Sequence, residues 1–189
     1  MILLTAFNAF GSVDTNASEV LLRALGEDSN VVRVVLRTEY EAGSQEIIHL
    51  IRNLKPQLLI CFGVSEGDTT VRLERVARNW DGAVAPDNVG DVRYGQPIIQ
   101  GAPAFYLGTI SYDAISTALR DRGVAHLVSE DAGGFVCNHV FFRALHEITV
   151  SESRILCGFI HLPPLSAQGG VSVLLDAMRS CIDAAMSST

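Results

Sequence analysis

Apolar residues recur along this chain at two spacings, and their alternation predicts strands and helices in turn. Ile2 to Thr5, Val31 to Leu36 and Leu58 to Phe62 are short, continuous apolar runs of the kind that form buried strands. After the first run, Asn16-Ala17-Ser18-Glu19 supplies capping side chains ahead of Val20, Leu21, Leu22 and Leu25, a helix that Gly26 stops. Ile47, Ile51 and Leu54 sit at helical spacing and predict a helix over 41–54. Thr69 to Ala77 alternates, with Val71, Leu73 and Val76 apolar, and reads as one strand. The Gly-, Asp-, Asn- and Pro-rich stretch from Trp80 to Pro97 reads as a long loop. A helix over 112–122 closed by Gly123, a strand over 124–128, a helix over 137–147, a strand over 154–160 and a helix over 170–186 complete the pattern.

Continuous apolar strands separated by helices imply an α/β protein with a mostly parallel sheet covered on both faces. Such sheets bind ligands outside the carboxyl ends of their strands. Phe7 and Phe10 follow strand 2–5, and Gly63 follows strand 58–62. Cys137 follows strand 124–128, and His161 follows strand 154–160. On this reading, residues distant in sequence converge on one sheet edge.

Composition narrows the picture. With 189 residues, 48% of them apolar, the chain can bury one sizeable core, and a single domain over 1–189 is expected. Fourteen basic against 21 acidic side chains give a net charge of −7, which argues against a nucleic-acid surface. No apolar run suits a bilayer span, and the N-terminus lacks the basic-then-apolar pattern of a secretory leader. The cysteines at 61, 137, 157 and 181 form neither a Cys-x-x-Cys pair nor a zinc-ligand spacing. Reduced thiols in a cytoplasmic protein are therefore expected, with Cys61, Cys157 and Cys181 as packing residues.

Cys137 differs from the other three. It follows Gly133-Gly134 at the predicted start of a helix, where unpaired backbone N–H groups and the positive end of the helix dipole favour thiolate. The same N–H groups can hold a carbonyl oxygen as it becomes negative. A histidine able to reach the thiol, such as His161, completes a nucleophile–base pair and makes the chain a candidate cysteine hydrolase. The plain alternatives are a small buried hydrophobe for Cys137 and a hydrogen-bonded structural residue for His161. His49 and His146 fall in predicted helices and His126 in a strand, while His139 is two residues from Cys137 and so points to a different face of its helix. Glu74, in Arg72-Leu73-Glu74-Arg75-Val76, is either a surface carboxylate paired with an arginine or the acid that orients a histidine. Phe7 and Phe10 are either core aromatics or a clamp for a flat ligand ring.

Five blocks, in order, resemble the pyroglutamyl peptidase I (pyrrolidone-carboxylate peptidase) family of cysteine peptidases. They are Leu3-Leu4-Thr5-Ala6-Phe7-Asn8-Ala9-Phe10-Gly11 with Asn16-Ala17-Ser18; Glu74-Arg75-Val76-Ala77-Arg78-Asn79; Pro86-Asp87-Asn88-Val89-Gly90; Ala132 to His139; and Gly158-Phe159-Ile160-His161-Leu162-Pro163. The resemblance implies a three-layer α/β/α sandwich and a triad of Cys137 as nucleophile, His161 as base and Glu74 as orienting acid. It implies removal of an N-terminal pyroglutamyl residue from peptides without metal or cofactor, and suggests a homo-oligomer. Phe7 and Phe10 match aromatics that enclose the lactam ring, Asn16 matches a polar residue near it, and Val136 joins them as a substrate-binding position beside the nucleophile.

The chain departs from the family pattern around the pocket. Its first loop carries Ala6, Ala9 and Ser12 where two glycines and a proline are usual. Val64 and Asp68 stand in place of a Gln and an Arg, and Val84 in place of another Arg. The loop after His161 is short, with Pro164 where an aromatic is common. These changes spare the triad and bear on which substrate is taken. Two further readings therefore stay open: a Cys-His-Glu hydrolase of another N-acyl or cyclic amide, and a binding protein with little activity. The roles of Asp87 and Asn88, in the loop or at the site, are also open.

Overall fold

The structure, a computed structural model, describes residues 1–11, 14–167 and 169–187. Ser12, one of the altered first-loop positions, lies outside them. In chain order the elements are β1 (Ile2–Phe7), α1 (Ala17–Ala24), β2 (Val31–Leu36), α2 (Tyr40–Leu54), β3 (Leu58–Val64), β4 (Val71–Glu74), β5 (Val76–Arg78), β6 (Phe105–Leu107), α3 (Tyr112–Asp121), β7 (His126–Ser129), α4 (Val136–Val150), β8 (Leu156–Leu162) and α5 (Val171–Met186).

The main sheet has the order β2-β1-β3-β8-β4-β7. Its β1, β2, β3 and β8 run parallel, and β4 meets β8 antiparallel with β7 parallel to β4. Strand alternation sorts side chains to two faces. Ile2, Leu4, Ala6, Ile60, Phe62, Leu73 and Ile160 pack under α1, α3 and α5. Leu3, Phe7, Leu59, Cys61, Cys157 and Phe159 pack under α2 and α4. The result is the expected α/β/α sandwich.

Three expectations need correction. Residues 69–77 do not form one strand: β4 joins the main sheet, whereas β5 turns away after Arg75 and pairs antiparallel with β6, which periodicity had left undetected. Phe7 and His161 do not follow their strands but lie within the last residues of β1 and β8. Both strands outrun their apolar runs because the sheet, through backbone pairing to β2 and β3, continues into the polar site. Gly63 likewise lies within β3 and not after it, while Glu74, on a strand that runs against β8, stands level with Phe159.

Candidate active site

The parity of β8 decides which side chains can meet. Ile160 and Leu162 face the α1, α3 and α5 layer, so His161 faces the layer that holds α4. On β4, Val71 and Leu73 belong to that first face, which leaves Arg72 and Glu74 on the α4 side. The antiparallel register sets Arg72 directly opposite His161 and Glu74 diagonal to it. His161 Nδ1 lies 2.9 Å from Glu74 Oε1, and both side chains are buried. Cys137, in the first turn of α4 and only partly buried, lines the same cavity as His161 and lies close enough to favour its charged form. The structure thus brings Cys137, His161 and Glu74 into one array.

Charge follows from these contacts. Burial works against an imidazolium, but its interactions with nearby Cys137 and Glu74 outweigh it and push His161 up to about 9. Burial likewise raises Glu74, yet its bond to His161, with help from Ser129 and Arg72, holds it below the ordinary carboxylate range. The other cysteines do not line this cavity: Cys61 and Cys181 are enclosed, and burial pushes each thiol up to about 12.

Cys137 is held from several sides by the segment 78–82. Asn138, the next residue, donates from Nδ2 to the carbonyls of Arg78 and Trp80 at 2.9 Å, and accepts from Arg78 N at 2.9 Å. His139 Nδ1 meets Asp81 Oδ2 at 2.8 Å in a fully buried pair. Gly82 N donates to the carbonyl of Gly134 at 3.0 Å. Gly134 lies so close that a Cβ there would stand 2.9 Å from Gly82 N, which explains the glycine. Gly133 adopts φ +84°, a left-handed conformation suited to glycine. Phe135, the N-cap of α4, offers no side-chain cap, so the first-turn N–H groups are left for a ligand.

A cavity of about 340 Å³ opens above this array, walled by Phe7, Phe10, Asn16, Val64, Phe135 and His161 among others. Phe10 and Phe135 rings lie 5.7 Å apart, and Tyr40 braces Phe135 edge-on at 5.7 Å. Phe7 is buried against Phe159 at 6.2 Å and forms the cavity floor. Asn16 caps α1 by accepting from Ser18 N at 2.9 Å, while its Nδ2 donates to the Asn8 carbonyl at 3.3 Å. Val136, expected beside the substrate, is instead fully buried in the core and takes no part in the cavity wall.

The altered positions separate here. Val64 lines the cavity, and Asp68 accepts from Ser65 Oγ at 2.6 Å. Ala6 is buried on the opposite face of β1, and Val84, 86% exposed, takes no part in the cavity wall. Asp87 and Asn88 shape the loop. Asp87 accepts from Tyr40, Val89 and Asp91 N–H groups, and Asn88 ties Asn8 and Ala9 of the first loop to Thr38. The histidines set aside from the site have partners elsewhere: His49 with Asn53, His126 with Ser116 and His146 with Tyr106.

Sequence reasoning missed Arg72, Asp81, Asn138 and Phe135 as parts of the site. Phe135 stood inside a quoted block, and Arg72 sits two residues before Glu74, the strand spacing that puts both on one face. Asp81 carried no such signal, because its loop has no period.

A thiol, an imidazole and a carboxylate in series, on an α/β/α sandwich and beside free helix N–H groups, define the class as a cysteine hydrolase. Comparison with known proteins makes this more particular. A profile of the pyroglutamyl peptidase family matches residues 1–182. Pyrrolidone-carboxylate peptidase of Bacillus thuringiensis (strain Al Hakam) is 32% identical, with 100% of this chain and 92% of the relative aligned. Among solved structures, Bacillus amyloliquefaciens pyroglutamyl peptidase I superposes with a TM-score of 0.93 at 28% identity, covering 98% of this chain and 96% of that one. A mutant pyrrolidone carboxyl peptidase from the hyperthermophile Pyrococcus furiosus gives a TM-score of 0.92 at 25% identity, covering 99% and 98%. The chain belongs to the pyroglutamyl peptidase family of cysteine peptidases.

Proposed function

We propose that this protein removes an N-terminal pyroglutamyl residue from peptides, with Cys137 as nucleophile, His161 as acid and base, and Glu74 as the orienting acid. The observation that carries the reading is the His161–Glu74 pair meeting Cys137 in one aromatic-walled cavity. The naming of the relatives for the same activity supports it.

In this reaction the Cys137 thiolate attacks the pyroglutamyl carbonyl carbon, and the first-turn N–H groups of α4 hold the oxyanion. Collapse of the adduct breaks the C–N bond as the His161 imidazolium gives its proton to the leaving amine. A thioester to Cys137 remains. Neutral His161 then takes a proton from water, the hydroxide attacks the thioester, and pyroglutamate leaves as the thiolate is restored. Glu74 holds Nδ1 throughout, so Nε2 faces the thiol. The lactam ring is neutral and flat, and the cavity meets it in kind: Phe10 and Phe135 as walls, Phe7 as floor, and Asn16 as a polar partner.

The substrate is a peptide, and the four free thiols support a reducing compartment, the cytoplasm. Among the described residues no helix is long and apolar enough to cross a membrane. Val64, an apolar wall residue where the family pattern has Gln, favours a second reading, an amidohydrolase for a different N-acyl or cyclic amide. Turnover of pyroglutamyl, prolyl and acetyl arylamides separates the two. The proposal requires the highest kcat/KM for the pyroglutamyl compound; preference for either of the others would overturn it.

A further inference from the structure

Arg72 is a second cation inside the triad. Its Nε lies 3.0 Å from Glu74 Oε1, the same oxygen that His161 Nδ1 meets at 2.9 Å. The rest of its guanidinium is engaged too: Nη2 donates to Ser129 Oγ at 2.8 Å and to the Asp131 carbonyl at 3.3 Å, and Nη1 lies 3.4 Å from Asp68 Oδ2. Only 25% of the side chain is exposed. Because β4 and β8 pair antiparallel, Arg72 and His161 are direct cross-strand neighbours, a placement in which two like charges repel. The Glu74 carboxylate reconciles them by accepting from both. Charges of alternating sign then run from the surface toward the nucleophile: Asp68, Arg72, Glu74 and the His161 imidazolium, which faces Cys137.

We propose that Arg72 is a positioning residue of this triad, fixing the Glu74 carboxylate toward His161 and offsetting part of its charge. The proposal rests on the Cys137–His161–Glu74 assignment and not on the identity of the substrate. A free carboxylate can rotate about its last torsion, whereas one whose Oε1 accepts from an Arg72 Nε, itself held in place by Ser129, Asp131 and Asp68, presents that oxygen to Nδ1 with less further ordering. The cation also opposes protonation of the imidazole across the strand pair. The ionisable groups facing His161 and Arg72 are Glu74 on β4, Cys137 on α4, Asp131 after β7 and Asp68 before β4, with the buried Cys61 thiol near Cys137. Removing one positive charge from this set raises every nearby proton affinity, and removing one negative charge lowers it.

The test is the pH dependence of iodoacetamide inactivation, read at Cys137, beside that of kcat/KM on a pyroglutamyl arylamide. Alkylation needs only the triad, so a protein that alkylates normally but ignores the arylamide tells against the substrate reading alone. Arg72→Met is expected to move the limbs of both profiles to higher pH by about half a unit or more, and to lower kcat about tenfold through a looser carboxylate. Arg72→Lys, which keeps the charge but not the guanidinium, should keep the limbs near their wild-type positions with kcat still reduced. Asp68→Asn, near the surface, should move the limbs the opposite way, to lower pH, and decides the matter if Arg72→Met does not fold. Limbs that stay at wild-type positions in Arg72→Met and Asp68→Asn, or that move the same way in both, overturn the proposal.

Discussion

At the scale of single residues, the site divides chemistry from recognition. His161 keeps its proton to about pH 9. Below that pH the imidazolium can protonate the leaving amine; above it the proton is lost, so kcat/KM should fall on an alkaline limb near pH 9. Glu74→Gln removes the carboxylate that helps raise His161, and should shift this limb to lower pH while lowering kcat. A limb that stays in place in Glu74→Gln would detach Glu74 from the histidine's titration. Phe10 acts on binding instead. Loss of about 1 kcal/mol of ring stacking in Phe10→Ala should raise KM about fivefold with kcat little changed. Unaltered kinetic constants would remove Phe10 from the recognition site. Cys137 and His161 were legible as candidates because each sits beside a glycine or a strand end, whereas the residues alone left Glu74 open and only the family resemblance assigned it. Arg72 was not, since its role depends on the direction in which β4 meets β8, and periodicity carries no direction.

At the scale of elements, the nucleophile is placed by a helix start and a loop that grip each other. The segment 78–82 bonds to residues 134, 138 and 139, on both sides of Cys137. Gly134→Ala would drive a Cβ into the Gly82 backbone and displace this clamp. The expected result is a loss of about 1–3 kcal/mol in stability and a tenfold or greater fall in kcat, checked by denaturant unfolding and steady-state kinetics. Full activity in that variant would show that the grip is not needed. The long loop from Trp80 to Pro97 was visible from its Gly, Asp, Asn and Pro content, but its work was not. Asp81, Asp87 and Asn88 act through hydrogen bonds to residues dozens of positions away, and no local pattern reports them. Strand β6 was missed, and β5 was merged with β4, for a related reason: each of β5 and β6 has three residues, too short to establish a period.

At the scale of the whole molecule, the sandwich was legible because β1, β3 and β8 bury both faces and so read as unbroken apolar runs. Their parallel alignment brings the ends of β1 and β8 to one cavity, as expected for such a sheet. The antiparallel entry of β4 was the part that escaped, and it is what sets a buried carboxylate beside a strand-end histidine. Chemistry built on a thiol should answer to thiol reagents. Iodoacetamide is expected to abolish hydrolysis, and a metal chelator such as EDTA to leave the rate unchanged; loss of activity on chelation would contradict a metal-independent mechanism.

The most direct measurement is hydrolysis of a fluorogenic pyroglutamyl amide by the wild type and by Cys137→Ala under reducing conditions. The wild type should turn over, and the variant should lose at least about a thousandfold in kcat while its unfolding free energy stays within about 1 kcal/mol. Comparable hydrolysis by both proteins would contradict Cys137 as the nucleophile, and hydrolysis by neither would contradict the pyroglutamyl substrate.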